Sequence, residues 1–289
     1  MTGFARSIAQ RACFLRVKPV RALLVKPFKS LVLAASILAV SPSANAAISL
    51  FAEYHLGEIG SLGPTNLPLD SSPALRNFIN EINGSSASVV TGGTAAAGST
   101  EYLSTAGAGS EGWYSSGLFT GLATDNFAFG VFVKASSLGA TEGDIFTLGG
   151  SNGSFKLSLA GNGWAASAHN VAWIGADSGV AGSFVPDAWV HLALIRNSGT
   201  TTFFINGVAQ GNTFGGTPAH DTPHISVAPG GATYFDGGID EARVVTFSAG
   251  ESTPNILNAL QVPEPGSASL ILGGLALMAG LRRRRSHQE

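Results

Sequence analysis

Trp189-Val190-His191-Leu192-Ala193-Leu194-Ile195-Arg196, Asn197-Ser198-Gly199-Thr200, Thr201-Thr202-Phe203-Phe204-Ile205, Asn206-Gly207: two runs rich in apolar, β-branched and aromatic residues stand either side of four turn residues. That pattern predicts two antiparallel strands over 189–196 and 201–205. Asn206-Gly207 predicts a second reversal, a type I′ turn, because both residues tolerate φ > 0. Val208-Ala209-Gln210 is then the returning strand.

The same signals recur outward from this hairpin. Upstream, Phe127–Lys134 is nearly all apolar and predicts a central strand covered on both faces. Segments 144–148 and 155–159 are further strands, separated by the turn Gly149-Gly150-Ser151-Asn152-Gly153, and Trp164 and 171–174 continue the pattern. Residues 225–227 and 238–245 supply late strands. Near the start, 51–56 alternates, with Phe51, Glu53 and His55 on one face and Ala52, Tyr54 and Leu56 on the other. Leu75, Phe78, Ile79 and Ile82 have helical spacing and predict one short surface helix over 75–82, ending at Asn83-Gly84. Residues 84–110 are Gly, Ala, Ser and Thr around Val89-Val90, and read as loop with one or two weak strands. Short strands at this spacing, with Gly-rich turns and almost no helix, predict an antiparallel sandwich.

Three motifs sharpen that expectation: Trp189-x-His191-x-Ala193 opening a hairpin, Asn206-Gly207 closing its second strand, and Gly238-Ile239-Asp240-Glu241-Ala242-Arg243. Together they resemble the laminin-G/concanavalin A-like lectin/glucanase family, with 51–56 as its opening strand. The resemblance covers 48–247 and implies an all-β, antiparallel jelly-roll sandwich. Lectins, adhesion modules and several glycosidases share that architecture, so it does not decide function.

Both ends of the chain carry addresses. Seven of the 16 Lys and Arg lie in residues 1–30, ahead of the apolar run 31–40. Ser41-Pro42-Ser43 breaks that run, and Ala44-Asn45-Ala46 places small residues where signal peptidase needs them, so the expected cut falls between Ala46 and Ala47. At the other end Val262-Pro263-Glu264-Pro265 is an extended strip, because each proline fixes its own φ and holds its predecessor out of the α region. An apolar run over 267–281 follows, and Arg282, Arg283, Arg284 and Arg285 close it. As a helix that run spans about 22 Å, short of a hydrocarbon core of about 30 Å, with arginines placed to snorkel and to stay cytoplasmic.

Pro-Glu-Pro, a short apolar segment and an arginine cluster, in that order, resemble the PEP-CTERM sorting signal. The resemblance implies a short transmembrane sorting helix, cleavage near the motif by an exosortase-type membrane protease, and an inner-membrane intermediate. The destination it implies is the cell surface, outer membrane or extracellular matrix of a Gram-negative bacterium. The expected organisation is a signal peptide (1–46), the sandwich (47–248), a linker (249–261) and the sorting signal (262–285).

Charge and cysteine usage narrow the chemistry. Residues 47–262 hold 16 of the 18 acids but only Arg76, Lys134, Lys156, Arg196 and Arg243 as fixed cations, a net charge of about −11. Such a body is no partner for nucleic acid. Cys13 is the only cysteine and leaves with the signal, so the exported chain has no disulfide and no thiol nucleophile.

No constellation reads as catalytic. Asp240 and Glu241 are adjacent, and on a regular strand neighbours face opposite ways, whereas retaining hydrolysis needs two carboxylates about 5–5.5 Å apart across one bond. The Glu-x-Asp-x-x-Glu strand of glycosidases with this fold is absent from the sequence. Asp240 is expected to bond nearby backbone. His220-Asp221-x-x-His224 lies between Pro218 and Pro223, which exclude the helix that would pair the two histidines on a metal. No Ser stands in Gly-x-Ser-x-Gly. His191 is expected to be a packed strand residue. The family resemblance implies a rim calcium, for which Asp221 is the candidate ligand, although Asn152, Gly153 and Ser154 stand where a family carboxylate is expected; no other cofactor is implied. Trp164 and Trp173, in Gly-rich sequence, are the candidate sugar-stacking rings, while Trp113 and Trp189 are assigned to the core.

The expected function is therefore an exported, non-catalytic module that binds extracellular polysaccharide or surface proteins. A glycan hydrolase with an unrecognised active site and a ligand-free surface spacer are the alternatives.

Overall fold

The computed structural model describes residues 48–261, apart from 64–65, 83–87, 92–94, 97, 106–111, 140–142, 151–152, 170–178, 215 and 230–232. The expected signal segment with its Ala46/Ala47 cut, the tail 262–285 with its expected membrane helix, Trp173 and the strand expected at 171–174 lie outside the described residues. In chain order the strands are β1 (Ile48–Tyr54), β2 (Asn80–Ile82), β3 (Ser88–Thr91), β4 (Glu101–Ser104), β5 (Gly112–Tyr114), β6 (Phe127–Lys134) and β7 (Gly143–Gly150). They continue as β8 (Gly153–Ala160), β9 (Gly163–His169), β10 (Val190–Asn197), β11 (Thr200–Ile205), β12 (Val208–Phe214), β13 (Pro223–Ile225) and β14 (Gly238–Phe247). One helix, α1 (Thr253–Gln261), follows.

The hairpin read from the sequence is β10–β11, with Asn197 opposite Thr200, and β12 returns through Asn206 and Gly207 at φ 49° and 78°. β6 is central as expected, flanked by β10 and β14. The first sheet runs β12-β11-β10-β6-β14-β4-β3, with β1 also paired to β14; the second runs β2-β5-β13-β7-β8-β9. All pairings are antiparallel.

Alternation sets which side chains meet between the sheets. Phe127, Phe129, Val131 and Val133 of β6 and Leu192 and Leu194 of β10 face Phe146, Leu148, Phe155 and Leu157 of the second sheet within one apolar core. Edge-to-face rings join the layers, Phe127 to Phe155 at 5.2 Å and Phe129 to Phe146 at 5.3 Å.

Three sequence expectations change. The helix over 75–82 does not form. The Asp70 carboxylate holds the approach by accepting from the backbone N–H groups of Glu53, Ser72 and Arg76, and the N–H of Ile79, which a helix would give to Leu75 C=O, goes to Ser115 Oγ instead. Phe78 is buried, while Asn80–Ile82 pairs with β5.

The linker over 249–261 is replaced, from Thr253 on, by α1. Ser252 Oγ accepts from Asn255 N–H, Pro254 occupies the first turn where its missing N–H costs nothing, and Ile256, Leu257 and Leu260 share one face. That face seals a second apolar cluster on the outer side of the first sheet, against Ala128, Ala193, Ile195, Phe204, Val245 and Phe247.

Trp164 is not a surface ring. It and Ala166 are the inward residues of β9, so its indole is fully buried beside Phe184 and Phe235. Burial of a large apolar surface outweighs the Gly-rich sequence around it.

Candidate functional site

The outer side of the first sheet is apolar where α1 covers it and polar beyond. From Ala52 on β1 alternates as read, with Ala52 and Tyr54 inward and Glu53 on the other face, where His55 follows just past the strand end, whereas Phe51, expected beside Glu53, packs against the core next to an irregularity in register. β14 does not alternate. Its register against β6 shifts between Asp240 and Arg243, and Glu241 takes φ 49°. Ile239 and Ala242 are the consecutive core residues, so this bulge puts two acids, Asp240 and Glu241, on the outer side where a regular strand would put one. Opposite facing, expected from the sequence, is overturned.

Both acids are buried and bonded to neighbouring groups. Asp240 accepts from Ala96 N–H and Ser99 Oγ, each at 3.2 Å, which is the backbone-bonding role expected of it. Burial, and then the neighbouring Glu241 charge, push its carboxyl up to about 8. His55 Nδ1 donates to Glu241 at 2.9 Å, and the Arg243 guanidinium bridges Glu53 at 2.7 Å and Glu241 at 3.2 Å. Burial works against charge on His55, but its bonds to Glu241 and Glu53 prevail and raise it to about 10. Burial likewise opposes the Glu53 charge, and the His55 hydrogen bond and Arg243 overcome it, holding the carboxyl at about 2. Ligand atoms of Glu53, His55 and Glu241 lie within 4.8 Å of one another, the spacing of a cation site. Here His55 and Arg243 already supply two positive charges to two carboxylates, so the cluster is balanced by its own side chains.

A concave pocket of about 340 Å³ opens beside this cluster, lined by His55, Glu58, Ser61, Asp70, Ser71 and Asn77 with Ile59, Leu69 and Leu75. Its polar floor is pre-set. Glu58 accepts from Thr100 N–H at 2.6 Å and from Ser99 Oγ at 3.0 Å, and Asp70 is locked as described above. Asn77 spends its carbonyl on Asp70 N–H, and its amide donors make no bond within the described residues. The rim is apolar and exposed, Ile59 by 95 % and Leu75 by 66 %, and Leu75 is held at φ 52°. A left-handed leucine with little burial to compensate is strain of the kind that collects at binding sites.

A second feature lies at the far end of the same outer face. Trp189, assigned to the core from sequence, is half-buried and meets Tyr102 edge-to-face at 5.2 Å. Lys134 Nζ stands 4.1 Å from the Tyr102 ring centre and 5.0 Å from that of Trp189. His191 behaves as expected: it is buried, lies 4.7 Å from the Phe132 ring, and Gln261 Nε2 donates to its Nδ1 at 3.0 Å. Burial, aided by Arg243, lowers its imidazole to about 3, so it is neutral and carries its proton on Nε2. That nitrogen points at Gly130, where any Cβ would lie 2.9 Å from it.

His220 stacks on Phe127 at 5.3 Å with its ring nitrogens near the carbonyls of Pro218 and Leu122, and His224 stacks on Tyr114 at 5.8 Å. Asp221 is exposed, accepts from Thr222 Oγ1, and belongs to no three-ligand His/Asp/Glu cluster among the described residues. Of the pocket residues, the sequence signalled only His55, through its alternation with Glu53. Nothing local marked Ile59, Leu75 or Asn77.

The concanavalin A-like lectin/glucanases superfamily matches residues 98–250, and the PEP-CTERM protein-sorting motif matches 261–285. No curated protein matches the sequence. Among solved structures, domain 4 of AbnA, a GH43 extracellular arabinanase from Geobacillus stearothermophilus seen in complex with arabinotriose, is 19 % identical with a TM-score of 0.52, over 74 % of this chain and 99 % of that one. The botulinum neurotoxin serotype D ligand-binding domain in complex with N-acetylneuraminic acid is 14 % identical with a TM-score of 0.48, over 73 % and 50 %. Trypanosoma rangeli sialidase in complex with an inhibitor is 14 % identical with a TM-score of 0.47, over 75 % and 33 %. At these identities the likeness is one of fold.

Proposed function

This chain belongs to the concanavalin A-like lectin/glucanase superfamily and carries a PEP-CTERM signal for export and sorting to the cell surface, and we propose that its sandwich is a non-catalytic saccharide-binding module. The observation that carries the reading is the pocket at the end of β1. Exposed Ile59 and Leu75 offer apolar contact for sugar C–H groups, and the Asn77 amide offers fixed donors for hydroxyls. The occupied, buried state of Asp240 and Glu241 favours binding over hydrolysis. The arabinotriose complex of domain 4 of AbnA is a saccharide complex on the same fold. In this reading signal peptidase releases the chain from its leader, an exosortase-type membrane protease processes the tail from an inner-membrane intermediate, and the ligand is polysaccharide at the outer membrane or in the matrix of a Gram-negative cell.

The test is thermal unfolding of the chain from Ala47 onward with exopolysaccharide of the producing organism, in calcium and in EDTA. A saccharide at a hundredfold excess over its Kd adds about 2.7 kcal/mol of stability. Leu75→Asn separates binding from folding. Asparagine tolerates the left-handed region, so stability rises by about 0.5–1 kcal/mol while the saccharide-induced shift disappears. A shift that persists in Leu75→Asn removes the pocket from the account, and no shift with any saccharide removes the lectin reading.

A further inference from the structure

α1 carries the sorting motif to a definite place on the sandwich. The helix begins just after β14, near where Phe247 N–H bonds Asn126 C=O, and ends where Gln261 bonds His191. It therefore runs along β6 from the Ala128 end toward Phe132, and Val262 is the next residue. Two positions further along the same strands, on the same outer face, stand Lys134 and Trp189, with Tyr102 against them. Two strand residues span about 7 Å, and an extended strip of four residues leaving Gln261 covers about 13 Å.

We propose that the sorting strip Val262-Pro263-Glu264-Pro265 docks on the ledge formed by Trp189, Tyr102 and Lys134, so that the folded sandwich covers its own sorting motif. Two ring planes at 82° make a notch of the kind that proline rings fill, at little entropic cost because the prolines already hold the strip extended. The charges match. Arg196, Arg243 and Lys156 each pair with a carboxylate, and Arg76 donates to Phe51 C=O. Lys134 makes no ion pair among the described residues and rests only on the two rings. Glu264, between the prolines, brings the missing anion. The covalent link through Gln261 raises the local concentration of the strip to about the millimolar range, so a weak contact suffices. Any protease that reads the motif then competes with the domain for it.

Lysine chemistry tests this directly on the chain from Ala47 to Glu289 held in lipid nanodiscs. Lys134 and Lys156 are its only lysines, and Lys156 is buried on Asp144, so Lys134 is the one lysine amine open to reagents, and peptide mapping separates its products from those of the N-terminal amine. A carbodiimide should yield an amide between Lys134 and Glu264, identified by mass spectrometry of the digest. Glu264→Gln, which leaves the folded body untouched, should remove that product and speed acetylation of Lys134 by about threefold or more. Crosslinking of Lys134 only to carboxylates of the body, or an acetylation rate unchanged in Glu264→Gln, overturns the proposal. Slow acetylation in both chains, without the Lys134–Glu264 product, means that lipid occupies the ledge and overturns it equally. Neither outcome bears on the pocket at His55, whose ligand shift is read separately.

Discussion

Replacing Leu260 by alanine lowers the unfolding free energy by about 3 kcal/mol, and Ile256→Ala does the same. Both side chains are fully buried in the cluster that α1 forms with Ala128, Ala193, Ile195, Phe204, Val245 and Phe247. Truncating a buried Leu or Ile costs about 2–5 kcal/mol, through lost transfer energy plus the cavity left behind. Asn258→Ala, on the exposed side of the same helix, stays within about 0.5 kcal/mol. The measurement is a set of urea midpoints at constant m. Were 249–261 a free linker, all three variants would behave alike. The prediction has a consequence for sorting, because a destabilised α1 loosens the attachment that delivers the motif to Lys134.

Arg243→Met is expected to cost about 3–5 kcal/mol, because it leaves half-buried Glu53 and buried Glu241 with His55 as their remaining cation. The same cluster shapes the response to pH. His55 is raised from 6.5 to about 10 and Asp240 from 3.8 to about 8, so the native state holds more protons than the unfolded one, and stability is lost as pH rises through these values. His191 and His224, lowered chiefly by burial to about 3 and about 4, act in the other direction, as the unfolded state takes up their protons below 6.5. Between about 4.5 and 6.5 these two outweigh Asp240 and stability rises with pH. Above 6.5 His55 and Asp240 both pull it down. Glu53, lowered from 4.5 to about 2, adds a further loss in acid. Urea unfolding should therefore find a maximum near pH 6.5, and His55→Gln should flatten the decline between pH 8 and 10. A decline of equal slope in that variant would place the alkaline loss elsewhere.

Hairpin, central strand and the address at the C-terminus follow from local rules. Asn206-Gly207 turns because both residues accept φ > 0, β6 is central because its run of apolar side chains needs cover on two faces, and the sorting tail is a linear order of proline, apolar and arginine segments. No partner elsewhere in the chain is required for those readings. Helical spacing misled twice, in opposite directions. At 75–82 it was present, but Ser115 took the N–H of Ile79 and Asn80–Ile82 paired with β5. At 253–261 Ile256, Leu257 and Leu260 form a helix whose stability comes from a sheet face that no local window contains. The candidate site depended on distance in space. Glu53, His55, Glu241 and Arg243 are separated by up to 190 residues in the chain, and a one-residue bulge in β14 decided that Asp240 and Glu241 lie on one side. Trp164 and Trp189 exchanged their expected places for the same reason: a tryptophan is buried or half-exposed according to the face of the strand it stands on and what packs there. The sequence by itself determined the class of fold and the sorting motif at the C-terminus. Only the tertiary structure decided which polar groups converge, which rings reach the surface, and where α1 delivers the sorting motif, because burial and ion pairing are set by packing between segments distant in the chain.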